Sequence, residues 1–445
     1  MNNNLTEGSV FKNLIKFSLP FLLSSFLQTF YGLADLFIVG QYNGAAAITA
    51  VSVGSQMTHM LTVIIVGLAM GSTVMIGRAV GAGENHKVSK VIGNTTILFM
   101  IFSIILTIIL IISTDGILKI MSVPHEAVDE TKRYITVCFI GVPFITTYNV
   151  ISSIFRGLGD SKRPMYFVAA AGIFNIVLDY ILVGAFNMKS QGAAIATVVS
   201  QLLSVLIALV YMKRKMTSLI LSKSDFYIDI LVMKDILFVG IPIAAQDGFI
   251  QISFLVITAI ANKRGLDAAA AVGIVEKVIC FIFLVPSAML SSVSAIAAQN
   301  AGAGLHERNK KTLKYAIGIG VVYSLIIAII CQFRAENILL LFAKDEPIVI
   351  TMGAQYLKSY VFDCLVASVH FCFSGYFCAY KWSILSFIHN AISVIFVRIP
   401  GAYIATKFWP DNLYPMGLAP AIGSLVSAII CIVAYMILRK RLYKE

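Results

Sequence analysis

The stretch FNIVLDYILVG, Phe174 to Gly184, sets Asn175 and Asp179 four residues apart. On a helix, positions i and i+4 share a face, so an amide and a carboxylate stand one turn apart. The run that contains them, about 166–184, is apolar enough to cross a bilayer. A central Asp costs about 2.5–3.5 kcal/mol on insertion scales, so something must hold it there. Four more acids, Asp35, Asp247, Glu276 and Asp363, lie in other apolar runs, against three bases, Lys277, Lys358 and Arg398. Thr197 brings a hydroxyl on the run that follows Asp179. Carboxylate, amide and hydroxyl oxygens suit a hard cation such as Na+. They suit a proton equally, because two carboxylates held close in a low dielectric cannot both stay charged without a partner. The alternative is a permanently protonated, hydrogen-bonded helix contact.

The elements that must position these groups follow from the composition. The chain has 445 residues, is 59% hydrophobic and 13% charged, and has mean hydropathy +0.88. Apolar runs long enough to span a bilayer recur near 14–39, 51–79, 91–113, 128–154, 165–184, 192–212, 235–260, 268–297, 314–333, 348–378, 384–406 and 418–438. Twelve transmembrane helices in an all-α membrane protein are predicted, since lipid-facing backbone must satisfy its own hydrogen bonds. Barrel strands would alternate, and these runs do not. The start, MNNNLTEGSV, carries no small-residue cleavage pattern. Seven cysteines fall inside helices without ligand spacing and are expected as free buried thiols. His59, His370 and His389 show no metal spacing, so no metal or cofactor beyond a transported ion is expected. No nucleophile–base pair or nucleotide loop appears, which argues against an enzyme.

The net charge of +12 is a matter of placement. With loops assigned alternately to the two sides, 22 of the 34 Lys and Arg fall on the side holding both termini, nine on the other and three within helices. The positive-inside rule therefore puts both termini in the cytoplasm, and no nucleic-acid partner is implied.

The sequence also repeats itself. VGAGENHKVSK (80–90) resembles AGAGLHERNKK (301–311), with Gly81 and Gly302 offset by 221. SLPF at 18–21 matches GIPI at 240–243, offset by 222. Two six-helix halves in the same order, hence parallel repeats, are a transporter signature. The expected division is an N-lobe over 1–212, a flexible basic linker over 213–234 and a C-lobe over 235–445. The Gly-Ala-Gly triplets read as tight turns, being wrongly spaced for phosphate binding. Asp35 maps onto Ile257 and Asp179 onto Arg398 across the repeat, so neither acid is duplicated.

YGLADLFIVG in the first helix, the paired GAG loops, FRGLGDSKRPM (155–165) and FNIVLDYILVG with GAAIAT (174–197) together resemble the multidrug and toxic compound extrusion (MATE) family over nearly the full length. The resemblance implies twelve helices in V-shaped lobes and antiport coupled to Na+ or H+. The implied cargo is cationic, amphipathic small molecules, and the setting a bacterial-type plasma membrane with its lipids. It departs after the tenth helix, where CAYKWSIL lacks the Gly-rich turn of RGLGDSKRP. It also implies that Asp35, Asn175, Asp179 and Thr197 form the coupling site, with Asn149 in support, and that Pro20 is a hinge in the first helix. Tyr31, Tyr148, Asp247, Glu276 and Asp363 are candidate cavity residues, Asp247 lying near the start of its helix. Asp363 is also able to pair with Arg398. A monomer is expected. A related flippase for lipid-linked precursors or headgroups is the alternative, disfavoured by the excess of intramembrane acids.

Overall fold

The computed structural model describes residues 4–121, 123–215, 223–343 and 346–442. Residues 216–222 of the expected linker and Lys344 of one loop lie outside the described residues. Among the described residues there is no strand. Among the described residues eleven helices are long and apolar enough to cross a membrane, and a bent pair taken as one span makes a twelfth. In chain order they are α1 (Val10–Tyr42), α2 (Ala45–Gly81), α3 (Asn85–Ile112), α4 (His125–Ile140 with Val142–Gly157), α5 (Lys162–Ala185) and α6 (Lys189–Lys215). They continue with α7 (Ile230–Asn262), α8 (Leu266–Gly302), α9 (His306–Leu340), α10 (Pro347–Ala379), α11 (Ser383–Phe408) and α12 (Tyr414–Leu442). A short helix, Thr114–Ile120, precedes α4.

Local chemistry explains the irregular places. α4 bends by 45° at Gly141. Pro143 follows, and its missing N–H leaves the Phe139 carbonyl without a helical donor. α1 runs unbroken through Pro20. The Ser24 hydroxyl donates to the Pro20 carbonyl at 2.9 Å. Two π-helical turns occur, Tyr180–Ala185 directly after Asp179 and Val394–Arg398 ending on Arg398. Such turns add a residue to the helical ladder and are common at functional sites. The Gly-Ala-Gly triplets are turns, as their spacing suggests, with Gly83 and Gly304 both at φ +72°. That conformation strains any residue with a Cβ.

The chain packs as two compact units. One is Leu19–Gly240; the other joins Leu5–Ser18 to Ile241–Glu445. Pro20 and Pro242 are each the second residue after a boundary. The first turns of α1 and α7 thus belong to a different unit from the rest of those helices.

In the first unit α3 turns Ile101, Ile104, Ile105, Ile108 and Ile112 outward, as a lipid-facing helix does. Ile38, Val39, Val51, Tyr134, Phe139, Val183, Ala193 and Ala194 form an apolar core. The end of the connection between the halves is pinned and does not behave as a free linker. The Asp225 carbonyl lies so close to Gly93 that a Cβ there would meet it at 2.0 Å. Asn94 receives the Asp229 N–H at 2.7 Å and donates to the Tyr227 carbonyl at 3.3 Å. Asp229 pairs with Lys90 at 2.6 Å and accepts from Leu231 N–H and Val232 N–H, capping α7.

In the second unit a buried ion pair joins α10 and α11. Arg398 Nη2 donates to both oxygens of Asp363 at 3.1 and 3.2 Å and to Ser424 Oγ at 2.7 Å. The Ser424 hydroxyl also bonds Asp363, and His370 Nε2 lies 3.2 Å from Ser424 Oγ. Six cysteines are buried and free as expected; Cys280 is free but exposed, since its face of α8 points outward.

Two outcomes are expected. Removing one member of a buried pair strands the other charge, at about 3–5 kcal/mol, whereas removing both is often near neutral. Arg398→Met should therefore lower the melting temperature sharply, and Asp363→Leu/Arg398→Met should recover most of the loss; a double variant no better than the single contradicts the assignment. The second concerns pH. Lys90 and the backbone N–H groups hold the Asp229 carboxyl below its usual range. A depressed folded-state value gives stability that is present above the unfolded value, about 3.9, and lost as pH falls through the folded one. Hydrogen-exchange protection at Leu231 and Val232 should be level from pH 8 to 5 and fall only below about 3.9; a loss near pH 6 refutes it.

Candidate functional site

Three helices of the first unit bring the expected oxygens together. Asp35 comes from α1, Asn175 and Asp179 from α5 and Thr197 from α6, and the two acids are 3% and 0% exposed. The Thr197 hydroxyl donates to Asp35 Oδ2 at 2.9 Å. Asn175 Nδ2 reaches Thr197 Oγ1 at 3.5 Å. Asp35 and Asp179 are close enough to act on each other electrostatically. Yet Asp35 Oδ1, Asn175 Oδ1 and both oxygens of Asp179 are buried with no N–H or O–H donor.

That arrangement is acceptor against acceptor. Carboxylate oxygens attract only through a proton or a cation between them, and an uncompensated buried charge costs several kcal/mol. The oxygen-only donor set fits a hard, singly charged cation or a shared proton. Among the described residues there is no cluster of three or more His, Cys, Asp or Glu able to hold a metal ion, so a tight transition-metal site is not what these residues resemble.

Helical spacing continues the site in both directions. Ile38 and Val39 follow Asp35 by one turn, Val183 follows Asp179, and Ala193 and Ala194 precede Thr197; all five are buried in the apolar core. One side of the acid pair is therefore sealed by hydrocarbon. On the other side Tyr31, one turn before Asp35, accepts a hydrogen bond from Gln201 Nε2 at 3.0 Å. Gln201 was not expected. Its spacing of four from Thr197 is the same signal that marks Asn175 and Asp179.

The remaining expected residues are dispersed. Asn149 donates its amide to the Ile145 carbonyl and lines a cavity with Tyr148. That bond uses the amide N–H and leaves the side-chain oxygen unassigned. Tyr148 donates to the Pro164 carbonyl at 3.2 Å. In the second unit Asp363 is held by Arg398, as the pairing alternative anticipates, so it is not a free cavity acid. Glu276, half-buried, accepts from the Thr258 hydroxyl at 3.0 Å on both oxygens. Asp247 lies in mid-helix and not near a helix start, because α7 begins at Ile230. Pro20 lies inside α1, 15 residues before Asp35.

The family model described as MatE matches the chain twice, at 20–181 and 242–404, two segments that begin 222 residues apart, the period of the internal repeat. A probable multidrug resistance protein, YoeA of Bacillus subtilis, is 27% identical over 348 residues, covering 77% of this chain and 75% of that protein. Another from the same organism, YpnP, is 27% identical over 399 residues, covering 89% and 88%. A crystal structure of a MATE protein in complex with MaL6 superposes at TM-score 0.93 over the whole of both chains, at 22% identity. Two halves of matching sequence, twelve spans of the same fold and full-length relatives agree: the chain is a multi-pass membrane transporter that belongs to the MATE family.

Proposed function

We propose that the chain is an antiporter that exports cationic, amphipathic organic compounds from a bacterial cell in exchange for Na+ or H+, with both termini cytoplasmic. The observation that carries this reading is the acceptor-only meeting of Asp35 and Asp179. A cation or proton between them lets two buried carboxyl groups coexist; without it their repulsion favours water and a more open surrounding. Binding energy for the ion thereby becomes a bias on helix packing, which is the requirement for coupling. The relatives described as multidrug resistance proteins support the cargo class, and the intramembrane excess of acids supports its sign.

Motion would act through α1. Asp35 and Pro20 share that helix, and Pro20 has no N–H to offer Lys16. A backbone bond is already missing there, so bending costs little. The apolar layer of Ile38, Val39, Val183 and Ala194 keeps water from the acid pair on one side. Access from the Tyr31–Gln201 side then alternates with closure as the acids are neutralised. The chain needs no resident cofactor for this cycle and acts as a monomer.

Two measurements test the reading. Asp35→Asn and Asp179→Asn remove the charge with little change of shape, so both should fold yet lose gradient-driven dye efflux from vesicles to background; full activity in both variants sinks the site. For topology, Glu84 is exposed in the α2–α3 turn beside Lys87. Glu84→Cys should resist an impermeant thiol reagent on intact cells and react after permeabilisation. Labelling from outside reverses the orientation.

A further inference from the structure

Arg156, in the last turn of α4, is 93% buried by its 7% exposure and has no anionic partner among the described residues. The nearest acid in sequence, Asp160, is taken: it pairs with Arg163 and accepts the Lys162 and Arg163 N–H groups. The acid pair is remote. The Arg156 guanidinium lies over the Phe21 ring at 5.2 Å, and Phe21 precedes Asp35 by 14 residues, about 21 Å along a helix at 1.5 Å per residue. Arg156 Nε and Ser152 Oγ, one turn apart on α4, are both buried without a partner.

These groups face a cavity. Its volume is about 70 Å³ and its walls include Phe21, Ser24, Gln28, Tyr148, Ser152 and Arg156. That is several times the roughly 10–15 Å³ one water needs. A buried guanidinium offers five N–H donors in a planar fork that matches two oxygens of a carboxylate or phosphate. Phe21 covers one face of the guanidinium but satisfies none of its edge. The Ser24 and Tyr148 hydroxyls already donate to the Pro20 and Pro164 carbonyls, which leaves Ser152 and the Gln28 amide as uncommitted donors beside it. Positive charge, unused donors and space therefore coincide, and a cation does not fit them.

We propose that this cavity is an oxyanion site, in which Arg156 and Ser152 receive a carboxylate or phosphate oxygen pair, either from the cargo itself or from a free anion. The inference rests on the transporter reading alone and not on the coupling site.

The test uses full-length protein in detergent, at equilibrium and without any ion gradient, so a failed coupling assignment leaves it intact. The probes are one fluorescent xanthene dye as its free acid and as its methyl ester, which differ by a carboxylate, together with inorganic phosphate. A hydrogen bond to a charged group is worth about 1.5–3 kcal/mol, so the acid should bind roughly 10–100-fold more tightly than the ester. Arg156→Gln should erase that preference while leaving ester affinity unchanged, and Ser152→Ala should reduce it. Arg156→Lys, which keeps the charge and loses the fork, should retain part and guards against a misfolded Gln variant. Acid preference assigns the oxyanion to cargo. Equal binding of acid and ester, with phosphate bound by wild type and not by Arg156→Gln, assigns it to a free anion. If wild type distinguishes acid from ester by less than about threefold and binds no phosphate, the site is refuted. Equal loss of acid and ester in the Gln variant also refutes it, since that is a packing role.

Discussion

A polar atom inside a lipid-embedded helix must find a partner, because nothing in the hydrocarbon can replace water. The two halves of this chain meet that constraint in opposite ways. In the second unit Asp363 receives Arg398 and Ser424 and is satisfied. In the first unit Asp35 and Asp179 receive between them one hydroxyl, from Thr197, and otherwise face each other. The repeat places Arg398 where the first half has Asp179, and a π-helical turn accompanies each. A covalently attached cation stands on one side of the repeat, and a pair of acids that needs a mobile one stands on the other.

The helices around the acid pair are arranged by that need. α1 and α6 supply one polar position each and α5 supplies two, and on each helix a buried aliphatic turn follows or precedes them. Along α1 the polar face runs from Ser24 and Gln28 through Tyr31 to Asp35, spaced by three and four residues. The same face passes the Arg156 cavity at one end and the acid pair at the other. Phe21, under the Arg156 guanidinium, and Asp35 are 14 residues apart, about 21 Å along α1.

Much of this was legible in the sequence, and the reasons are physical. Twelve spans follow from hydropathy, since the bilayer thickness fixes helix length. The four oxygens of the first unit were legible because Asn175 and Asp179 share a helical face and both are costly in lipid. The bend at Gly141 was missed, as hydropathy runs straight through a Gly-Val-Pro break. The part of Asn149 is not legible from sequence, because a lone amide in a helix has many ways to be satisfied, and here its N–H goes to the Ile145 carbonyl. In FRGLGDSKRPM nothing in the sequence separates the role of Arg156 from that of Arg163. Only the fold shows that Arg163 takes Asp160 and leaves Arg156 without a carboxylate.

The claim that one ion or proton at the Asp35–Asp179 pair biases the same equilibrium as the cargo is tested most directly by linkage. Equilibrium binding of a fluorescent organic cation to purified protein should be measured with Na+ and pH varied independently, and ion binding with the cation present and absent. The expected result is that one ion weakens cargo affinity by the same factor by which cargo weakens that ion's affinity, and that Asp179→Asn abolishes the effect. Cargo affinity unmoved by either ion, in a protein whose transport still depends on one of them, would contradict it.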